Sequence, residues 1–152
     1  MKRFSFRFAR LQKIREGEEE AAMLRLALAQ ADLSREEKAL AKLAGEMQET
    51  GAQLLSLVKQ GAPGAMLGNA DAFRRAVSAA ADRQKETVAR AVQNNADKQE
   101  EFRKARRKAE AIRKLHEKRR GEHRKEFLRE AQKELDDIGG SRARAARAGS
   151  TL

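Results

Sequence analysis

The strongest constraint in this sequence is an apolar residue at every seventh position from residue 26 to residue 54. This column consists of Leu26, Leu33, Leu40, Met47 and Leu54. Leu43 and Leu57 occupy interleaved positions, whereas Glu36 and Thr50 weaken this second column. Apolar residues at alternating steps of three and four predict the seam of a coiled coil.

Composition agrees with this prediction. Charged residues make up 38% of the chain and aromatic residues only 4%, and there is a single proline, Pro63. Such a bias, combined with helical spacing, is typical of long helices and coiled coils. An intrinsically disordered chain is the competing interpretation because there is little apolar surface to bury. The seven-residue repeat argues against disorder.

The one strong break lies in the stretch QGAPGAMLGNAD, residues 60–71, where four helix-breaking residues fall within eight positions. Asn69 or Asp71 is expected to cap the helix that follows. Gly139 and Gly140 are expected to end that helix. The predicted organisation is therefore a first coiled-coil helix at residues 1–60, a bend at 61–70, a second coiled-coil helix at 71–139 and a basic flexible tail at 140–152.

The predicted fold class is all-α, a long antiparallel two-helix coiled-coil hairpin with no globular core. If the bend centres near residues 64–68, the numbers of facing residues add to about 130–136. The Phe4 and Phe8 end is then expected beside Leu128, in a rod of about 90–100 Å with both termini at one tip. The predicted seam comprises Leu26, Leu33, Leu40, Leu43, Met47, Leu54, Val88, Phe102 and Ile112.

Net charge indicates the kind of partner. The formal charge of +11 favours an acidic partner such as nucleic acid, an anionic membrane or an acidic protein surface. The chain has no cysteine, which suits the cytosol. Arg7 and Arg10 interrupt the apolar part of MKRFSFRFARL, so a secretory signal is not expected. No run approaches the ~18 apolar residues of a transmembrane segment, so we predict a cytoplasmic protein.

No pattern of catalytic or ligand-binding residues stands out. Gly61, Gly64 and Gly68 lack the Lys-Ser/Thr that a phosphate-binding loop requires. His116 and His123 lie seven residues apart, about 10 Å along a helix, which is too far to share one metal ion. No nucleophile lies beside a base. The sequence predicts that the protein is not an enzyme and has no cofactor and no metal.

The run from Arg103 to Arg129 holds thirteen Lys or Arg against four Glu, which raises the hypothesis of nucleic-acid binding. These cations occupy every face of a helix and lack interleaved aromatic residues for base stacking, so specific nucleic-acid binding is disfavoured. A membrane-surface interpretation uses Phe4, Phe8 and Leu11 beside Lys2, Arg3, Arg7 and Arg10. The same apolar residues are explained more simply as the first turns of the seam.

Both ends of the chain resemble a known family. MKRFSFRFARLQKIREGEEEAA is similar to the start of the flagellar export protein FliJ family, with alternating basic and Phe residues followed by an acidic, Ala-rich run. KRRGEHRKEFLREAQKELDDIG is similar to the C-terminal segment of that family, although His123 stands where an aromatic residue, often Tyr, is common.

The resemblance implies a cytoplasmic stalk of the flagellar export apparatus, associated peripherally with the inner membrane at the flagellar base. The implied partners are the export ATPase hexamer, the cytoplasmic domain of the membrane export gate and export chaperones. The tip bearing both termini is expected in the ATPase ring, through Lys118, Arg119, Arg120, Arg124, Lys125 and Arg129. Two alternatives stay open: a stalk protein of an injectisome, or a basic coiled-coil adaptor for nucleic acid or membrane.

A second stripe, formed by Phe73, Val77 and Ala80, has two interpretations. Phe73 either packs on Leu54 or Leu57 and closes the hairpin, or faces solvent as part of a partner site. By the resemblance, the partner at an exposed stripe would be the export gate.

Overall fold

The computed structural model describes residues 3–149, apart from the side chains of residue 143 and residues 145–149. It contains two α-helices, α1 (Ala9–Lys59) and α2 (Gly64–Gly149), joined by residues 60–63. The prediction of an all-α, two-helix hairpin is confirmed. Lys2 and residues 150–152 of the predicted tail lie outside the described residues.

The loop between the helices is a tight helix stop. Gly61 has a φ of 69°, the left-handed conformation that glycine adopts without a steric penalty. The Gly61 N–H donates to Val58 O and the Ala62 N–H donates to Leu57 O, both at 3.1 Å. These two bonds form a Schellman motif, which satisfies carbonyl groups left unpaired at the end of α1.

The second helix begins earlier than predicted. The Pro63 carbonyl accepts hydrogen bonds from the Met66 N–H at 2.9 Å and the Leu67 N–H at 3.2 Å, so the helix starts at Gly64. Proline suits a helix start because its missing N–H would have no helical partner there. The predicted bend at 61–70 therefore shrinks to residues 60–63, and Asn69 and Asp71 lie inside α2 rather than capping it.

The C-terminal end of α2 also differs from the prediction, because the helix continues through Gly139 and Gly140 to Gly149. Each glycine costs about 1 kcal/mol of helix propensity, but the Ala- and Arg-rich residues that follow are strong helix formers. Arg144 Nε also donates to Gly140 O at 3.2 Å, and Ser141 Oγ donates to Ile138 O at 2.9 Å.

The chain divides into two compact units, and both helices contribute to each. Unit 1 comprises Met1–Gly17 and Arg106–Leu152, and unit 2 comprises Glu18–Ala105. In unit 2 the helices pair antiparallel, as the contacts of Glu36 with Gln84 and of Arg25 with Glu101 show. These residue numbers add to 120 and 126 rather than 130–136, because the loop lies several residues earlier than expected.

Small side chains form the most buried part of the unit 2 seam. Ala22, Ala29, Val77 and Ala81 are all less than 7% exposed, and Thr50 is 6% exposed with its hydroxyl donating to Met47 O at 3.1 Å. The predicted seam residues Leu26, Leu33, Leu40, Leu43, Leu54, Val88, Phe102 and Ile112 are half-buried. Met47 is 38% exposed and therefore belongs to the edge of the seam. Two helices alone cannot enclose a large side chain, so the leucines keep one side open to water.

In unit 1 the N-terminal residues do not continue the helix as predicted. Residues 3–6 have no regular structure, residues 7 and 8 form a turn, and α1 begins at Ala9. Phe4 contacts His116 and His123 instead of the predicted Leu128, which is 57% exposed. Ala109 is 1% exposed, and Arg113 Nε lies 3.5 Å from Glu16 Oε1.

Candidate functional site

Positive charge is concentrated in one of the two units. Unit 1 contains 21 Lys or Arg against 9 Asp or Glu, a formal charge of +12. Unit 2 contains 13 against 14, a formal charge of −1. The whole excess of the chain therefore lies in unit 1, where it attracts acidic partners.

The six cations predicted from the sequence to contact a partner are all exposed on one segment of α2, which we name the basic surface. Its members are Lys118, Arg119, Arg120, Arg124, Lys125 and Arg129. Among the described residues, one ion pair compensates part of this charge: Arg119 Nη1 lies 3.2 Å from Glu122 Oε2, and the Arg side chain is 63% exposed. Exposed ion pairs of this kind contribute little to stability. The basic surface is therefore available for binding.

An aromatic cluster lies within the same unit. The ring centroid of Phe4 lies 5.7 Å from that of His116 and 5.4 Å from that of His123. The rings of Phe6 and His116 pack edge to face, with their centroids 4.7 Å apart. Phe6 also contacts Phe8 at 5.9 Å. This Phe–His cluster holds residues 3–8 against α2, because tilted aromatic contacts are favourable at these distances.

A cleft of about 560 Å³ lies between the N-terminal segment and the basic surface. Its lining residues are Arg3, Phe4, Ser5, Phe6, Arg7, Phe8, Arg119, Glu122, His123 and Glu126. The sequence prediction placed Phe4 and Phe8 in a helical seam and did not anticipate this cleft. The alternation of Phe4, Phe6 and Phe8 at every second residue was the available signal, because a period of two indicates extended backbone.

The predicted stripe of Phe73, Val77 and Ala80 is not a single surface. Phe73 is 59% exposed, Ala80 is half-buried and Val77 is only 6% exposed, because Val77 belongs to the seam of unit 2. Val77 therefore cannot contact a partner while the helices stay paired. Met66, which is 53% exposed, lies two turns before Phe73 on the same face of α2. The exposed apolar stripe at this end of unit 2 consists of Met66 and Phe73.

Polar contacts fix the register of unit 2. Gln84 Nε2 donates to Glu36 Oε2 at 2.8 Å and to Glu36 O at 3.1 Å. This bond, with a further bond from Arg35, holds the pKa of Glu36 below its usual value. Lys98 Nζ donates to Glu101 Oε1 at 2.9 Å, and this bond, aided by Arg25, lowers the pKa of Glu101. These are structural contacts between and along helices.

Asn95 lies on the seam between the helices of unit 2, and its Oδ1 is buried without a hydrogen-bond partner among the described residues. An unpaired buried amide oxygen costs stability, and polar residues in a coiled-coil seam are known to restrict register. Asn95 is therefore a candidate register-setting residue of the unit 2 seam.

Within the described part of the chain, no three His, Cys, Asp or Glu side chains are grouped so that they could hold a metal ion. In the same residues, neither helix contains a stretch with the length and apolar character needed to span a bilayer.

Comparison with known proteins identifies the family. No curated protein and no solved structure matches the chain. The family model described as "Flagellar FliJ protein" matches residues 4–148, a range that includes the Phe–His cluster, the basic surface and the whole of unit 2. Because this match covers nearly the entire chain, the protein belongs to the flagellar FliJ protein family.

Proposed function

We propose that this protein is a non-enzymatic stalk that inserts unit 1 into the ring of the export ATPase hexamer and promotes the assembly and activity of the ring. As a member of the FliJ family, the chain is a component of the flagellar type III export apparatus. The observation that carries the finer role is the confinement of the excess positive charge to unit 1, with six exposed cations on the basic surface.

Physical reasoning supports the ring as the partner of unit 1. Cations on all faces of a helix cannot all contact one flat surface or one groove, but they can all face the wall of a pore that surrounds the helix. A pore lined with carboxylates attracts such a segment and accelerates its entry. The attraction is screened by salt, since the Debye length shortens to about 8 Å at physiological ionic strength.

We also propose that unit 2 contacts the export gate. The exposed stripe of Met66 and Phe73 supports this contact, because large apolar side chains left in water are a recurrent feature of partner sites. Export chaperones are further proposed partners on the family resemblance, and no surface is assigned to them. The corresponding location is the cytoplasmic side of the inner membrane at the flagellar base.

A pair of charge-reversed variants tests the ring contact. The test variant changes Arg119, Arg120, Arg124 and Lys125 to Glu, and the control changes Lys38, Lys42, Arg83 and Arg90, exposed residues of unit 2, to Glu. Each variant lowers the formal net charge from +11 to +3. We expect the test variant to stimulate the ATPase at least about 10-fold less than the control, with equal helix content by circular dichroism. Equal loss of stimulation in both variants would mean that net charge, rather than unit 1, decides binding.

A second set of variants tests the gate contact. Phe73→Ala is expected to abolish binding to the cytoplasmic domain of the gate while changing the free energy of unfolding by less than about 0.5 kcal/mol, because the side chain is exposed. Val77→Ala is expected to destabilise the protein by about 2 kcal/mol and retain binding. Val92→Ala, at another exposed position of α2, is the control for loss of an exposed side chain. Binding that survives Phe73→Ala removes this residue from the gate contact.

A further inference from the structure

Unit 2 carries a second apolar stripe on α1, on the face that does not pair with α2. Its four residues are Ala21, Leu24, Leu28 and Ala31, at steps of three, four and three. All four are exposed, Leu24 by 63% and Leu28 by 60%. We name these residues the α1 stripe. Its spacing is that of a coiled-coil seam, so its geometry fits another helix rather than a flat surface.

The C-terminal part of α2 carries a stripe with the same spacing, formed by Leu128, Ala131, Leu135 and Ile138, which we name the α2 stripe. Leu128 is 57% exposed, Leu135 64% and Ile138 51%. Every residue from 124 to 142 other than Ala131 is exposed, so no described element covers this part of the helix. It is therefore an amphipathic helical segment with no partner.

We propose that copies of this protein associate head to tail, with the α2 stripe of one copy packed antiparallel on the α1 stripe of another. The two stripes have identical steps, so each apolar residue of one meets an apolar residue of the other. In this arrangement Ala21 faces Ile138, Leu24 faces Leu135, Leu28 faces Ala131 and Ala31 faces Leu128. A small residue thus meets a large one in three of the four layers, which allows close packing.

Flanking charges favour the antiparallel direction. In that direction Asp32 lies near Lys125 and Arg129 of the other copy. The acidic run at residues 18–20 then comes near Arg142 and Arg144. The parallel direction places Arg35 level with Arg142 and Glu134 close to Asp32, and like charges at such positions oppose pairing.

The contact joins two different surfaces, so it is heterologous, and further copies can add to either end. Four apolar layers bury much less surface than the roughly 1,600 Å² of a standard stable interface. Association between copies is therefore expected to be weak, and the fraction of associated protein is expected to rise with protein concentration. The apolar residues of the two stripes are not among the residues assigned to the ring and gate contacts, although the flanking Lys125 and Arg129 also belong to the basic surface.

Two variants, each lacking one stripe, test the proposal by sedimentation velocity at concentrations up to about 1 mM, chosen because an interface this small is weak. One variant carries Leu24→Gln and Leu28→Gln, and the other carries Leu135→Gln and Ile138→Gln. We expect the wild-type protein to form species that grow with concentration, and each variant alone to stay monomeric. Because each variant keeps the stripe that the other lacks, an equimolar mixture is expected to form a 1:1 heterodimer that grows no further.

The control variant Leu55→Gln and Val58→Gln removes two apolar residues of α1 that are each 56% exposed, and it is expected to associate like the wild type. A wild-type protein that stays monomeric at the highest concentration overturns the proposal. Association of either stripe variant with itself also overturns the proposal, because it would indicate contact between identical stripes. An equimolar mixture of the two variants that stays monomeric overturns it as well.

Cysteine cross-linking tests the direction, since the chain has no cysteine of its own. Mixing Ala21→Cys protein with Ile138→Cys protein is expected to give a disulfide-linked heterodimer under oxidising conditions. Mixing Ala21→Cys protein with Leu128→Cys protein is expected to give several-fold less. The reverse preference would overturn the antiparallel arrangement.

Discussion

Unit 1 and unit 2 are built from the same two helices, but different interactions hold them together. In unit 2 the most buried residues are small, and hydrogen bonds such as that of Gln84 with Glu36 fix which residues face each other. In unit 1 a non-helical segment is held by Phe and His rings, and the formal charge is +12 rather than −1. Like charges repel, so a unit that concentrates charge for binding gives up some stability. We infer that unit 2 provides most of the stability and unit 1 most of the binding.

The largest expected effect tests the close packing of unit 2. Ala81 is 2% exposed, so Ala81→Leu forces a larger side chain between the helices and is expected to destabilise the protein by about 1–3 kcal/mol. Ala79→Leu makes the same change at an exposed position of the same helix and is expected to have little effect. Urea unfolding of the two variants measures the difference. Equal midpoints would show that the helices of unit 2 are not closely packed at Ala81.

A smaller effect is expected in unit 1. Phe6→Ala removes the contacts with His116 and Phe8, which together contribute about 1 kcal/mol to holding the N-terminal segment. Cleavage by trypsin after Arg7 is then expected to be about 5-fold faster, while the urea midpoint of the whole protein changes little. Ser5→Ala, at an exposed position of the same segment, is the control. A large shift of the global midpoint would contradict the division of roles between the units.

The smallest effect concerns the pH dependence of unit 2. The pKa of Glu36 is lowered in the folded state by its bonds with Gln84 and Arg35, so its contribution to stability is complete above the usual value of 4.5. This contribution is lost as the pH falls below 4.5 through the lowered pKa of the folded state. Glu36→Gln is therefore expected to flatten the stability profile below pH 4.5 by a small amount, measured by thermal unfolding. Glu37→Gln, at an exposed neighbour, should keep the profile of the wild type if the Gln84 bond is responsible.

Those residues whose role follows from spacing alone were predictable from the sequence. The leucine column and the glycine- and proline-rich break specify two helices and a turn, since only a helix brings every seventh residue to one face. The buried positions Ala22, Ala29 and Ala81 were missed, because an alanine is buried only where the partner helix comes close, and that distance is not encoded at the alanine itself. Phe73 and Val77 were recognised as one candidate stripe, but whether each packs in the hairpin or faces solvent stayed open, because helical spacing does not show which side faces the partner helix.

The ends of the helices were less predictable. At the N-terminus, a helical phase was fitted to Phe4 and Phe8, although the Phe–His contacts that hold this segment involve residues more than a hundred positions away in the sequence. At the C-terminus, Gly139 and Gly140 are ordinary stop signals, but the continuation of the helix depends on the propensity of the residues beyond them.

The short loop at residues 60–63 has a consequence for how the protein folds. It brings nearby parts of α1 and α2 together first, because the entropic free-energy cost of closing a loop rises with loop length. Each doubling of the loop length adds about 0.6 kcal/mol. Glu36 and Gln84 are 48 residues apart, whereas Phe6 and His116 are 110 residues apart. Contacts near the loop are therefore expected to form early, and each one shortens the segment that the next must close. The N-terminal segment at residues 3–8 is the last to dock on this route, and the first to detach when the chain begins to unfold.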